Sequence, residues 1–281
     1  MRTAALVAAV AFLGQRHRKV MPRIALGLEY DGTDFVGWQI QQTGRSVEGT
    51  LAAAVSFVAG APVTVHGSGR TDAGVHALHQ VAHFDTSVPR TPRQWLLGIN
   101  SNLPPDVAIR WAREVPADFD ARRSAVSRRY RYTVLQQPAR PALLRRRTWW
   151  LRQALDCGAM TAAASAWLGE HDFSAFRGAG CQAKSPMRRL TSVAIAQKRR
   201  GEGTLVTFEF TANAFLQHMV RNLVGTLIAV GGGELAPLEA ARILALRDRR
   251  VAGVTAPPEG LALVEVLYPQ RFEVPRFEDE P

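Results

Sequence analysis

"RIALGLEYDG" (residues 23–32) alternates apolar and polar positions and ends at Asp31-Gly32, which predicts a strand running into a turn. The period then changes. In "SVEGTLAAAVSFVAG" (46–60) Val47, Leu51, Val55 and Val58 recur at spacings of three and four, with Ser46 as N-cap and Gly60 as stop, so a helix is expected. "VTVH" (63–66) and "QVAHFDT" (80–86) read as strands, "TPRQWLLGIN" (91–100) as a helix with Pro92 at its first position, and "VAIRWAREV" (107–115) as another strand. The order is β-α-β-β-α-β.

The second half repeats it. "RRYRYTVLQ" (128–136) and "RRRTWWLR" (145–152) supply strand, and "CGAMTAAASAWLG" (157–169) is helix. Residues 188–212 form a hairpin turned at Gly201 to Gly203. "NAFLQHMVRNLVGTLIAVG" (213–231) is a long apolar-striped helix, "PLEAARILAL" (237–246) a shorter one, and "LALVEVLY" (261–268) the closing strand. Two such units predict an α+β protein made of two related ferredoxin-like halves, residues 22–119 and 120–270, sharing an antiparallel sheet. The polar tail, 271–281, carries two prolines and is expected to fray.

Composition narrows the class. With 281 residues and 47% hydrophobic content, the chain can bury a sizeable core and is not a disordered one. Two cysteines, Cys157 and Cys181, exclude a disulfide framework and suit reduced thiols in the cytoplasm. Residues 1–21 hold a short apolar run, Ala4 to Leu13, too short to span a bilayer. Arg16, His17, Arg18 and Lys19 follow it, without a convincing signal-peptide cleavage site. This segment is expected to be an extension outside the fold, with Met21 as an alternative start. Removing its four basic residues from the net charge of +11 leaves +7, so a polyanionic partner, nucleic acid first, stays favoured.

The candidate chemistry lies in "SGRTDAGVHALHQVAHF" (68–84). His79 and His83 share a spacing that suits a metal on a helix, but here they fall on a strand, and no Cys or His cluster completes a ligand set. Ser68 lacks the surroundings of a hydrolase nucleophile. Asp72 could be a turn residue, as most loop aspartates are. Its neighbours argue for more. Gly69 and Gly74 would allow close approach of backbone or substrate, and Arg70 beside it would keep the carboxylate ionised, as a nucleophile or base requires.

"GRTDAGVHA" (69–77) resembles the active-site motif of the tRNA pseudouridine synthase A family. The resemblance continues through "LEYDGTDFVGWQ" (28–39), "INSNLP" (99–104), "SRRYRYTV" (127–134), "HDFSAFR" (171–177) and "NAFLQHMVRNLVGTL" (213–227). It implies an isomerase that converts uridine to pseudouridine at positions 38, 39 and 40 in the anticodon arm of tRNA. It further implies a homodimer without cofactor or metal and without a membrane association, its active-site cleft lying between the two halves. By the same resemblance Asp72 is the nucleophile, attacking ribose C1′ or the uracil ring or assisting elimination. Arg221 pairs with that carboxylate. Tyr130 stacks on the target base and helps remove the C5 proton, while Tyr132 is set aside as facing away. Arg70 would take the place of the extracted base in the stack. The basic runs Arg122–Arg123, Arg128–Arg131, Arg145–Arg147 and Arg188–Arg189 are candidate phosphate contacts. Two other readings remain open on sequence: a tRNA-binding relative without activity, and a synthase acting on another RNA.

Overall fold

The computed structural model describes residues 21–277, so the expectation about the N-terminal extension lies outside the described residues. The first half runs β1 (Arg23–Tyr30), α1 (Val47–Ala59), β2 (His66–Gly67), β3 (His76–Asp85), α2 (Pro92–Asn100) and β4 (Val107–Val115). The local signals decide the helices. Ser46 Oγ accepts from Gly49 N at the start of α1, Gly60 closes it at φ 66°, and the expected stripe of Val47, Leu51, Val55 and Val58 is buried. Thr91 and Gln94 form a reciprocal capping box on α2, with Pro92 in its first turn.

The second half contains β5 (Ser127–Gln136), β6 (Trp149–Leu151), α3 (Cys157–Ser165), β7 (Gly169–Asp172), β8 (Met187–Arg200), β9 (Gly203–Ala212), α4 (Met219–Gly231), α5 (Glu239–Leu246) and β10 (Leu261–Leu267). All strands join one sheet, ordered β4-β1-β3-β10-β5-β9-β8-β7, with β2 beside β3 and β6 beside β5. The order β4-β1-β3-β2 in the first half is matched by β10-β5-β9-β8 in the second. Each is the strand order of a β-α-β-β-α-β unit, so the two ferredoxin-like halves are borne out.

The sheet is not purely antiparallel. The halves meet where β10 lies parallel to β3, Ala262 opposite His76 and Leu263 opposite Ala77. Space for that junction comes from β2. The expected strand over 63–66 shrinks to His66–Gly67, which pairs only with Ala82 and His83 near the far end of β3. The first residues of β3 are thereby left open to β10.

Three further expectations are corrected. Only Trp149–Leu151 of the stretch 145–152 is strand; Arg145–Arg147 lie in a turn. The helix expected over 213–231 begins at Met219, because His218 takes a left-handed backbone (φ 60°) and Gln217 O is bound by Gly178 N. The tail does not fray along its described length. Phe272 is buried, Glu273 O accepts from Arg113 Nη1, and the Phe277 ring lies 6.1 Å from that of His79. Among the described residues no helix is long and apolar enough to cross a membrane.

Candidate active site

Residues 68–75 connect β2 to β3 and carry Asp72 at the junction of the halves. The loop rests on the stretch that follows β1. Trp38 N donates to Thr71 O at 3.0 Å, Gly74 N to Phe35 O at 3.3 Å, and Tyr30 Oη meets Thr71 Oγ1 at 2.8 Å. Gly37, at φ 109°, lies so close that a Cβ would come within 2.7 Å of Thr71 O. Gly74 adopts the left-handed backbone (φ 76°), which suits its expected role; Gly69 has open space around it and needs no such freedom. Behind the loop, Gln80 Nε2 donates to Gly69 O at 3.0 Å and Arg128 Nη2 to Ser68 O at 2.9 Å. The loop is therefore held by hydrogen bonds on both sides.

The second half supplies the cations. His218 Nε2 stands 3.7 Å and Arg221 Nη1 3.8 Å from Asp72 Oδ2. These distances mark ion pairs rather than hydrogen bonds. Arg221 is itself anchored, its Nε donating to Ala256 O at 2.7 Å while Ala256 N donates to Arg221 O at 3.1 Å. The Asp72 carboxyl does not keep the low pKa expected from its neighbours. Burial pushes it above the ordinary carboxylate value, and His218, Arg221 and the His218 backbone N–H only partly offset that. A more basic carboxylate results, still faced by Arg221 and His218.

Tyr130 projects from β5 beside this group, its ring edge-on to Phe215 at 5.1 Å. Burial first, then the nearby Tyr30 hydroxyl and Asp72 carboxylate, raise its pKa strongly, so the phenol keeps its proton. Its hydroxyl has no hydrogen bond among the described residues, whereas Tyr132 Oη donates to Pro257 O at 2.8 Å. Tyr132 shares the buried face of Tyr130, as residues two apart on a strand must, so the expectation that it faces away is corrected. What separates the two is that Tyr132 is already bonded. Arg70 is exposed and reaches across the mouth, Nη1 donating to Gln182 Oε1 of the second half at 3.0 Å.

The histidines of β3 are structural. His76 Nδ1 accepts from Gly32 N at 3.1 Å, His79 Nε2 from Trp111 Nε1 at 3.0 Å, and His83 Nδ1 from Ala121 N at 3.1 Å. Burial pushes His79 and His83 down to about 4, which keeps both neutral near pH 7. Among the described residues no three His, Cys, Asp or Glu side chains converge to hold a metal ion. The basic runs also divide. Arg128 donates to the carbonyls of Ser68, Arg122 and Asn213, Arg129 and Arg131 pair with Glu209, Arg146 and Arg147 with Asp34 and Asp31, and Arg189 with Glu170. The exposed guanidinium groups of Arg122 and Arg123 have no partner among the described residues.

His218 escaped the sequence reading. The only signal was its place in "HMVRNLVG", three residues before Arg221, a spacing that sets two side chains on one side of a helix. The left-handed backbone that aims it at Asp72, at a cost of about 1–3 kcal/mol for a residue other than glycine, has no signature in sequence.

Known proteins share this arrangement of sequence. The tRNA pseudouridine synthase family profile matches residues 28–122 and 163–269, on both halves. "tRNA pseudouridine synthase A" of Coxiella burnetii (strain Dugway 5J108-111) is 52% identical over 257 residues, covering 92% of this chain and 97% of that protein. The protein of the same name from Alcanivorax borkumensis is 52% identical over 262 residues, covering 93% and 96%. A solved Cbf5-Nop10-Gar1 complex aligns with 85% of this chain and 48% of its own at 10% identity and a TM-score of 0.36, a likeness too loose to bear on mechanism. A match that runs through both halves and through the loop bearing Asp72 leaves one conclusion: the chain belongs to the tRNA pseudouridine synthase A family.

Proposed function

We propose that this isomerase, whose family converts uridine to pseudouridine in tRNA, acts at positions 38, 39 and 40 of the anticodon arm, as a cytoplasmic homodimer, with Asp72 as the reacting carboxylate. One observation carries the reading of the site: a half-buried carboxylate with Arg221 and His218 by one oxygen and, alongside, a tyrosine hydroxyl without a hydrogen bond among the described residues. The reaction breaks N1–C1′, turns the uracil and joins C5 to C1′; the proton lost from C5 is matched by one gained at N1. Asp72 serves this by attack at C1′, by addition to the uracil ring, or by taking a proton in an elimination to a glycal. Its raised basicity favours each route, and Arg221 and His218 favour the ionised carboxylate when it is released again. Tyr130 offers an aromatic face to the base and a hydroxyl for hydrogen bonding. Arg70 is the residue that fills the stack the uridine leaves.

Asp72→Asn keeps the shape and removes the charge. It is expected to abolish pseudouridine formation on a tRNA transcript, with tRNA affinity within about twofold of wild type, measured by single-turnover assay and filter binding. Appreciable turnover by the pure variant would remove Asp72 from the chemistry. Mapping of pseudouridines at single-nucleotide resolution in that transcript tests the three positions.

A further inference from the structure

His218 is the one non-glycine residue with a left-handed backbone that also touches the candidate catalytic carboxylate. It makes two approaches to Asp72: the imidazole Nε2 lies 3.7 Å from Oδ2, and the backbone N–H is near enough to the carboxyl to lower its pKa. The ring is fixed from behind. A Cβ on Gly178 would come within 3.0 Å of His218 Nδ1, and Gly178 N donates to Gln217 O at 2.9 Å. The helix that follows begins without a side-chain cap: His218 O accepts from Asn222 N at 2.9 Å as the first turn requires, while the imidazole caps no helical N–H and is turned to Asp72 instead. A costly backbone conformation held at a functional group is where a specific role is to be sought.

We propose that His218 is a positioning residue for Asp72, whose ring, 3.7 Å from Oδ2, acts with Arg221 to set the pH at which the carboxylate becomes available for reaction. The inference rests on the reading of Asp72 as the reacting group. Of the other titratable groups nearby, Tyr130 of β5 faces Asp72; around it Tyr30 of β1 bonds Thr71, Arg128 of β5 bonds Ser68 O, Arg70 on the loop bonds Gln182, and Arg177 bonds the carbonyl of Cys181 on the segment against Gln217. None of these approaches Asp72 in an ion pair among the described residues; His218 and Arg221 do.

The sign follows from the charges. A cation beside a carboxylate favours its ionised form, so removing that cation raises the carboxyl pKa and moves the acid limb of the rate profile to higher pH. His218 acts in that direction on Asp72: its ring and its backbone N–H both lower the carboxyl pKa against the effect of burial.

The test is single-turnover pseudouridine formation on a tRNA transcript between pH 4.5 and 8.5, with wild type, His218→Asn and His218→Lys. Asparagine tolerates the left-handed backbone and carries no charge. His218→Asn is expected to lose roughly tenfold in rate on the acid limb, equivalent to a displacement of about one pH unit, with far less change above pH 7.5. His218→Lys is expected to return the limb towards wild type. A uniform loss at every pH with an unmoved limb would reduce His218 to a structural role, and an unchanged profile would overturn the proposal. Should His218→Asn fail to fold, His218→Gly, which suits the same backbone, supplies the same comparison. Asp72→Asn run in parallel separates the two readings. If it stays active, the assignment of Asp72 fails; if it is inactive while the His218→Asn limb does not move, only the present inference fails.

Discussion

At Asp72 two opposed effects meet. Burial disfavours the charge, and His218 and Arg221 at 3.7 and 3.8 Å favour it; burial wins, so the carboxylate is a stronger base than its sequence neighbours imply. Arg70, two residues earlier, stands apart from these groups. It is exposed, and among the described residues its guanidinium bonds Gln182, a neutral partner that a phosphate or base could replace. Arg70→Ala is therefore expected to cut single-turnover rates more on a transcript with its target in the stem than on one with its target in the loop. Unstacking a paired base costs a few kcal/mol that a mobile base does not require. Arg70→Lys should rescue poorly, since an ammonium keeps the charge and loses the planar fork. Equal losses on both substrates would show that Arg70 serves binding alone, and full rescue by lysine would reduce it to a charge.

The decisive element is α4 with the segment 253–257 laid across it. Gly225 permits the approach: a Cβ there would fall 1.7 Å from Val254 O. Gly253 N donates to Thr226 Oγ1 at 2.9 Å, and Arg249 ties Asn222 to Thr255 through bonds of 2.9 and 2.8 Å. The segment then delivers Ala256 O to Arg221, so the packing of one glycine reaches the Asp72 ion pair. Gly225→Ala is expected to cost about 1–3 kcal/mol in urea denaturation and to lower turnover, because overpacking displaces the carbonyl that orients Arg221. Gly69→Ala is the contrast. It lies in the loop that bears Asp72, yet nothing stands within 4 Å of its Cβ, and stability should stay within about 0.5 kcal/mol of wild type.

Over the whole molecule, a net charge of +11 does not translate into an equal number of bound phosphates. Arg129 is a part-buried partner of Glu209 and Glu265, 21% exposed, whereas Arg122 and Arg123 face solvent. Replacing Arg122 and Arg123 together by alanine should flatten the dependence of log Kd on log salt by about one unit for each phosphate that the pair neutralises. Arg129→Ala should leave that slope unchanged and lower the Tm, since it takes a part-buried partner from Glu265 and leaves Glu209 with Arg131. Titrations of tRNA binding between 50 and 300 mM salt, with thermal melts, distinguish the two classes. A slope change from Arg129→Ala would return it to the residues that touch RNA.

What the sequence alone determined is what acts over a few residues. The caps at Ser46 and Thr91, the stop at Gly60, the stripe on α1 and the turn at Gly201 are all settled by neighbours within a helical or hairpin turn, and all were legible. Asp72, Tyr130 and Arg221 could be singled out because each lies in a motif of its own, far apart along the chain. The tertiary structure decided the rest. The shortening of β2 depends on β10 taking the free part of β3, a pairing between strands more than 170 residues apart. Arg129 was a surface charge on paper until Glu209, 80 residues away, came beside it. His218 belonged to a helix by pattern until Gly178 and Asp72 closed around it and turned its backbone left-handed. Desolvation and long-range pairing depend on which distant atoms surround a group, and no local period records that.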